Sequence, residues 1–95
     1  MATTHFIVHD KHDNVGVVVV EDVQPGMEVT GWVMETDETI TVKALDPVPL
    51  GHKIAVVPAG DGDTVLEYGI PIGIATGGFG VGSHVHTHNL RSARW

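Results

Sequence analysis

Short runs of valine and isoleucine, each broken within a few positions by glycine, proline or an Asp/Asn cluster, limit this chain to brief strands joined by tight turns. Phe6-Ile7-Val8, then Asp10-Lys11-His12-Asp13-Asn14, then Val15 to Val20 with Gly16 inside, read as strand, polar turn and strand. β-Branched side chains suit a pleated backbone, while Asp and Asn bond to their own backbone in turns. In Gln24-Pro25-Gly26-Met27-Glu28, Pro suits the first central position of a turn and Gly the second. Val29 to Met34 and Thr39 to Ala44 predict a hairpin with the acidic tip Glu35-Thr36-Asp37-Glu38. Thr39-Ile40-Thr41-Val42-Lys43 alternates, so one of its faces is wet.

Asp46-Pro47-Val48-Pro49-Leu50-Gly51 cannot be a central strand, because each proline removes an amide donor. Ile54 to Val57 predicts a short strand ended by Pro58, Ala59 to Asp63 a loop, and Thr64 to Tyr68 and Gly69 to Ala75 further extended segments. Thr76 to Ser83 carries four glycines in eight positions and leads into His84-Val85-His86-Thr87-His88. Arg91 to Trp95 reads as a short basic tail. No segment sustains a 3.6-residue period, and twelve glycines with only 5% aromatic residues fit many short strands. The expected fold is all-β, in a single domain over 1–95, since 95 residues leave no room for a second.

A formal charge of −7 argues against nucleic acid and anionic membrane as partners, both of which need a basic face. Without cysteine there are no disulfides and no zinc-thiolate site, which suits the cytoplasm. Met1 to Asp10 lacks the basic start and apolar core of a signal peptide. The longest apolar run, Val15 to Val20, falls far short of the roughly 20 residues of a membrane helix. The expectation is a soluble cytoplasmic protein.

The chemistry concentrates in the histidines. On an extended segment His84, His86 and His88 share one face. They would then span about 13 Å at roughly 3.3 Å per residue, too far for all three to hold one ion. A pair at i and i+2, His84 and His86, can supply two ligands to a metal, the rest coming from elsewhere in the chain or from a partner. The competing reading is an exposed polar strand face. His52-Lys53, behind a rigid Pro-x-Pro, could hold a carboxylate, since an anionic ligand of so acidic a chain needs a local positive cluster; the competing reading is a solvated lysine beside a turn histidine. Asp13 and Asn14 read as turn residues. Asp61 and Asp63 do not match the twelve-residue calcium loop, and no helix follows Gly73 to Gly80 to make it a nucleotide loop.

The ordered set Asp13-Asn14-Val15, Gly51-His52-Lys53-Ile54-Ala55, Tyr68-Gly69 with Ile72-Gly73, and Gly82-Ser83-His84-Val85-His86-Thr87-His88-Asn89 resembles the small amino-terminal module of the altronate and galactarate dehydratase family. The likeness spans nearly the whole chain and departs from the family pattern at Gly77-Gly78-Phe79-Gly80-Val81. It implies a SAF-type β-clip fold and, for a chain ending at Trp95, the small subunit of a two-subunit lyase. Two activities fit that resemblance. One is a carbon-sulfur lyase that eliminates sulfite from (2R)-3-sulfolactate to give pyruvate; the other is an altronate dehydratase giving a 2-keto-3-deoxy sugar acid. Gly31-Trp32-Val33-Met34-Glu35 and Asn89 to Trp95 look more like the first.

The resemblance further implies a large catalytic subunit as partner in a hetero-oligomer, and a small anionic hydroxy acid as substrate. It implies a divalent metal, iron or another ion, bound mainly by or shared with the large subunit. His84 and His86 would then be catalytic at the subunit interface, as metal ligands or proton carriers, and His52 and Lys53 would bind substrate. A non-enzymatic metal- or ligand-binding β module and a purely structural cap are the competing functions.

Overall fold

The structure, a computed structural model, describes residues 3–92. Nine strands follow one another: β1 (Phe6–Val8), β2 (Val15–Val18), β3 (Glu28–Val33), β4 (Glu38–Lys43), β5 (Lys53–Ala55), β6 (Thr64–Glu67), β7 (Ile70–Ala75), β8 (His84–Val85) and β9 (Leu90–Ser92). They form a six-stranded sheet in the order β4-β3-β1-β2-β5-β8 and a three-stranded sheet in the order β6-β7-β9. All pairings are antiparallel except β1 with β3. The all-β expectation holds: no helix occurs among the described residues, and so none is long and apolar enough to cross a membrane.

One turn device builds much of this. At 23–28, 48–53, 59–64 and 79–84 an apolar residue makes an isolated bridge, a glycine turn follows, and a strand begins five positions after the bridge residue. The bridges join these units in pairs, Val23 to Val48 and Ala59 to Phe79. Each turn closes with an N–H to C=O bond, Met27 to Gln24, His52 to Pro49, Asp63 to Gly60 and Ser83 to Gly80, at 3.0–3.2 Å. The third residue is always glycine, at φ +84° to +92°, a region in which a side chain is strained. Pro25-Gly26 thus sits in the turn its sequence predicts. That Pro49-Leu50-Gly51-His52 uses the same turn matters more, because it delivers His52 and Lys53 to the start of β5.

Two apolar clusters hold the strands. Phe6, Val18, Val29, Val42, Val48 and Ile54 lead the first; the second joins the sheets through Val15, Ala55 and Val85 on one side and Val65 and Ala75 on the other. Each fully buried side chain of this size contributes roughly 1.5–3 kcal/mol. Phe6 lies opposite Gly31 in the β1–β3 register, and its ring occupies the space a Cβ at Gly31 would need.

Asp13 and Asn14 act as turn residues and do more. The buried Asp13 carboxylate accepts N–H bonds from Tyr68 and Gly69 at 2.9 Å and from Asp10 at 3.2 Å. Asn14 Oδ1 accepts the Leu66 N–H at 2.8 Å. The β1–β2 turn is thereby tied to the β6–β7 hairpin across more than fifty residues. Asp61 and Asp63 cap loop amides, Asp61 that of Gly77 and Asp63 that of Gly60, as ordinary loop residues do.

Three expected segments are redrawn. Val56 and Val57 leave β5 because both donate their N–H to the Asn14 carbonyl. Val19 and Val20 lie beyond β2. Arg91 and Ser92, expected in a tail, belong with Leu90 to β9, paired with β7 in the register Ala75 to Leu90, Ile74 to Arg91 and Gly73 to Ser92. Residues 93–95, the rest of the expected tail, lie outside the described residues.

Candidate functional site: a histidine group beside a pocket

β5 and β8 pair with Lys53 opposite Val85 and Ile54 opposite His84. The pairing carries two of the glycine-turn units side by side, so His52 at the end of one turn meets His84 at the start of the strand after the other. His52 Nδ1 and His84 Nε2 are 2.9 Å apart. The backbone of His52 is fixed from both sides, by its N–H to Pro49 and by its carbonyl, which accepts from Val18 at 2.9 Å. His84 donates its own N–H to Asp46 Oδ2 at 2.9 Å.

The extended histidine row expected from alternation does not form. Only His84–Val85 is strand; the chain then turns, and the buried Asn89 side chain holds the turn. Asn89 Oδ1 accepts the His86 N–H and its Nδ2 donates to the His84 carbonyl, both at 2.9 Å, while its own N–H reaches the His86 carbonyl at 3.1 Å. The turn shortens the row: the His88 ring centroid lies 5.4 Å from that of His84. It also stacks His86 on His52, with centroids 4.5 Å apart and rings 23° from parallel.

The result is a three-nitrogen group. One ligand atom from each of His52, His84 and His86 lies within 4.8 Å of the others, with His52 and His84 half-buried and His86 exposed. Two nitrogens bound to one tetrahedral ion at about 2.0–2.1 Å sit about 3.3 Å apart, so the 2.9 Å pair and the 4.8 Å limit bracket what an ion needs. The donor set fits a divalent metal that favours imidazole. Burial, followed by the neighbouring His52, His88 and His86, holds His84 below the ordinary histidine value, against the opposing pull of Asp46. That keeps a lone pair available near neutral pH.

His52 and Lys53 part company. Lys53, the next residue along the strand, reaches Glu67 at 3.8 Å, and the Glu67 side chain is only 9% exposed. Both line a pocket of about 560 Å³ that also takes in His86, Arg91 and the apolar Ile72, Val85 and Leu90. The structure therefore joins His84 and His86 with His52, leaves His88 outside the three-nitrogen group, and gives Lys53 to the adjoining pocket. Asn89, Asp46, Glu67 and Arg91 are not among the site residues expected from the sequence, although Asn89 closes the histidine motif. An Asn three residues after His86 is a turn signal from which the bend can be read.

The comparisons with known proteins agree with this architecture. The family model for the altronate/galactarate dehydratase SAF domain matches residues 4–93. The chain is 44% identical over 90 residues to (2R)-sulfolactate sulfo-lyase subunit alpha of Chromohalobacter salexigens, covering 95% of this chain and 96% of that protein. The protein of the same name from Paracoccus pantotrophus is 45% identical over 60 residues, 63% of this chain and 87% of its own. Altronate dehydratase of Bacillus subtilis is 31% identical over 87 residues, 92% of this chain but 16% of that protein. With its match extending from the first strand to the last, the chain belongs to the altronate/galactarate dehydratase SAF domain family.

Proposed function

We propose that this chain is the small subunit of a two-subunit carbon-sulfur lyase that eliminates sulfite from (2R)-3-sulfolactate to give pyruvate. The observation that carries the reading is the convergence of His52, His84 and His86 beside a pocket lined by Lys53, Glu67 and Arg91, in a chain that matches a sulfo-lyase alpha subunit almost end to end. The large catalytic subunit completes the site, in a soluble hetero-oligomer placed in the cytoplasm.

His52, His84 and His86 would hold a divalent metal, iron or another ion, alone or shared with the large subunit. Such an ion, when bound, supplies Lewis-acid stabilisation of the enolate formed as the proton leaves the carbon alpha to the carboxylate. Asp46 and Asn89 fix the backbone on which His84 and His86 stand, so the imidazoles are aimed before substrate arrives. Lys53, steadied by Glu67, offers an ammonium to an acid group of the substrate. The 2.9 Å His52–His84 bond also supports a second reading, in which the pair passes a proton between its rings and carries no metal.

The test is a reconstitution. The chain and its large subunit are incubated with 3-sulfolactate and with altronate in parallel, and sulfite and 2-oxo acid are measured. Sulfite from 3-sulfolactate alone is the expected outcome. A 2-keto-3-deoxy acid from altronate without sulfite release would move the chain to the dehydratase reading, and turnover unchanged in His84→Ala and His86→Ala complexes would reduce it to a structural cap.

A further inference from the structure

Glu67 is a carboxylate where the strand pattern asks for a hydrocarbon. Along β6, Val65 and Glu67 share the buried face while Thr64 and Leu66 take the other, and the Glu67 side chain is only 9% exposed. Among the described residues its one ionic partner is Lys53, at 3.8 Å, beyond hydrogen-bond reach. A buried charge so thinly partnered lowers stability where an apolar residue would raise it. The chain nevertheless fixes Glu67 from both sides. Leu66 donates its N–H to Asn14 Oδ1 at 2.8 Å, and Tyr68, at a strained φ of +57°, donates to Asp13 Oδ2 at 2.9 Å. Strain held in place beside a poorly compensated charge marks a position kept for chemistry.

That carboxylate lines the pocket of about 560 Å³ beside the histidines. The wall is mixed: the apolar Ile72, Val85 and Leu90 are interrupted by the hydroxyls of Thr76 and Thr87, which are too weakly basic to hold a proton taken from carbon. Lys53 and Arg91 are donors with no acceptor atom, and the ligand nitrogen of His86 belongs to the three-nitrogen group with His52 and His84. Of the groups around this pocket, Glu67 is the one left to accept a proton. An acid group seated on the Lys53 ammonium brings the carbons next to it against Glu67, because the two side chains are 3.8 Å apart.

We infer that Glu67 is the general base of the elimination, a catalytic residue contributed by this chain and not by the large subunit. The inference deepens the proposed function and rests on it for the reaction. Glu67 takes the proton from the carbon alpha to the carboxylate, so that C–H bond breaks and a carboxyl O–H bond forms. The C–H electron pair becomes the carbon-carbon double bond as the C–S bond breaks, and sulfite leaves with the C–S pair. Glu67 then returns its proton to carbon 3 while the enol hydroxyl releases one, which gives pyruvate and restores the carboxylate.

The experiment uses the chain reconstituted with its large subunit, with sulfite release measured on 3-sulfolactate and on 3-sulfolactate deuterated at carbon 2. Glu67→Gln should lower kcat by about 10²–10⁴-fold, the range that loss of a general base gives, with KM within about threefold. Formate, a carboxylate small enough for the space left by Glu67→Ala, should raise that variant's kcat by about tenfold or more and leave Lys53→Met, in which KM rises instead, unchanged. An unchanged kcat in Glu67→Gln, a rise in KM alone, no formate rescue of Glu67→Ala, or an equal rescue of Lys53→Met each overturns the assignment and leaves Glu67 a positioning residue for Lys53. If Glu67→Gln and Glu67→Ala fail to assemble, Glu67→Asp, which keeps the charge but draws it back, should lower kcat and enlarge the deuterium isotope effect; no change in either overturns the base equally. Should the wild-type complex convert altronate and release no sulfite, the lyase reading fails; a kcat loss of the same size on altronate then keeps Glu67 as the base, and an unchanged kcat there overturns it. A complex that turns over neither acid overturns both. Sulfite release indifferent to Glu67→Gln means that the lyase stands and the base fails.

Discussion

His52 Nδ1 and His84 Nε2 lie 2.9 Å apart although 32 residues separate them in sequence. One ring must donate and the other accept, so the bond survives only while at least one of the two imidazoles is neutral. Everything proposed for the site depends on that pair, because His86 reaches it by stacking on His52 and Asn89 holds the turn that permits the stacking.

The pair makes stability depend on pH with a definite sign. His84 is held below the ordinary value of 6.5, first by burial and then by the neighbouring histidines. Above pH 6.5 it is neutral in both folded and unfolded chains, and its contribution to stability is constant. As pH falls below 6.5 the unfolded chain takes up the proton before the folded one does, so the unfolded state gains. Metal-free protein should therefore lose thermal stability as the pH falls below 6.5. His84→Gln should flatten that slope in calorimetric scans, and a midpoint that rises as the pH falls would refute the assignment.

Divalent metal binding should depend unequally on the histidines. Outer partners of metal ligands typically cost 10–100-fold in affinity when removed. His52→Ala, His84→Ala and His86→Ala, which remove ligand atoms, should each lower the affinity for Co²⁺ by about 100-fold or more. Asn89→Ala, which frees the 86–89 turn, should lower it by about tenfold. His88→Ala should leave it close to wild type, because His88 stands outside the three-nitrogen group. Absorption titrations with Co²⁺ rank the five variants directly, and an effect of His88→Ala equal to that of His52→Ala would contradict the grouping.

Glycine turns of the same shape should differ in what they tolerate. Gly82 and Gly26 both have φ near +90°, so alanine is strained at either. At Gly26 a Cβ meets nothing within 4 Å, and the cost should be about 1–2 kcal/mol. At Gly82 it runs into the Lys43 carbonyl, which is backbone and cannot swing aside, so overpacking adds about 1–3 kcal/mol more. Urea unfolding of Gly82→Ala and Gly26→Ala gives the comparison, with Gly82→Ala the weaker protein.

Asp13→Ala tests the tie between the two hairpins. It strips acceptors from the amides of Asp10, Tyr68 and Gly69, and bonds to a charged group of this kind are worth about 1.5–3 kcal/mol. A loss of about 2–3 kcal/mol is expected, with the Tyr68-Gly69 turn exchanging its amide protons fastest. Hydrogen exchange locates the effect; uniform loss of protection across both sheets without a local excess would argue for a different role.

How far the site is legible in the sequence varies with the range of the contacts. Spacing alone marks His84 and His86, and Lys53 is marked by its place after Pro47-Val48-Pro49. The same alternation also misleads, because it implies an extended row; three bonds from Asn89 bend that row. Leu90-Arg91-Ser92 carries no β-branched residue, so only its pairing with β7 makes it a strand and brings Arg91 to the pocket.

The sequence by itself determined an all-β chain and the position of most of its turns. Those follow from steric preferences acting within a few residues: β-branched side chains favour extended backbone, and glycine alone enters positive φ without strain. It also made the histidines the leading candidates for chemistry, since no cysteine and no other catalytic motif is present. Only the tertiary structure decided that His52 and not His88 completes the group, and that Lys53 serves the pocket instead of standing beside His52. The register of β5 against β8 sets the first, and the alternation of neighbouring side chains along β5 sets the second. Both depend on which distant strands pair, and no local preference encodes that.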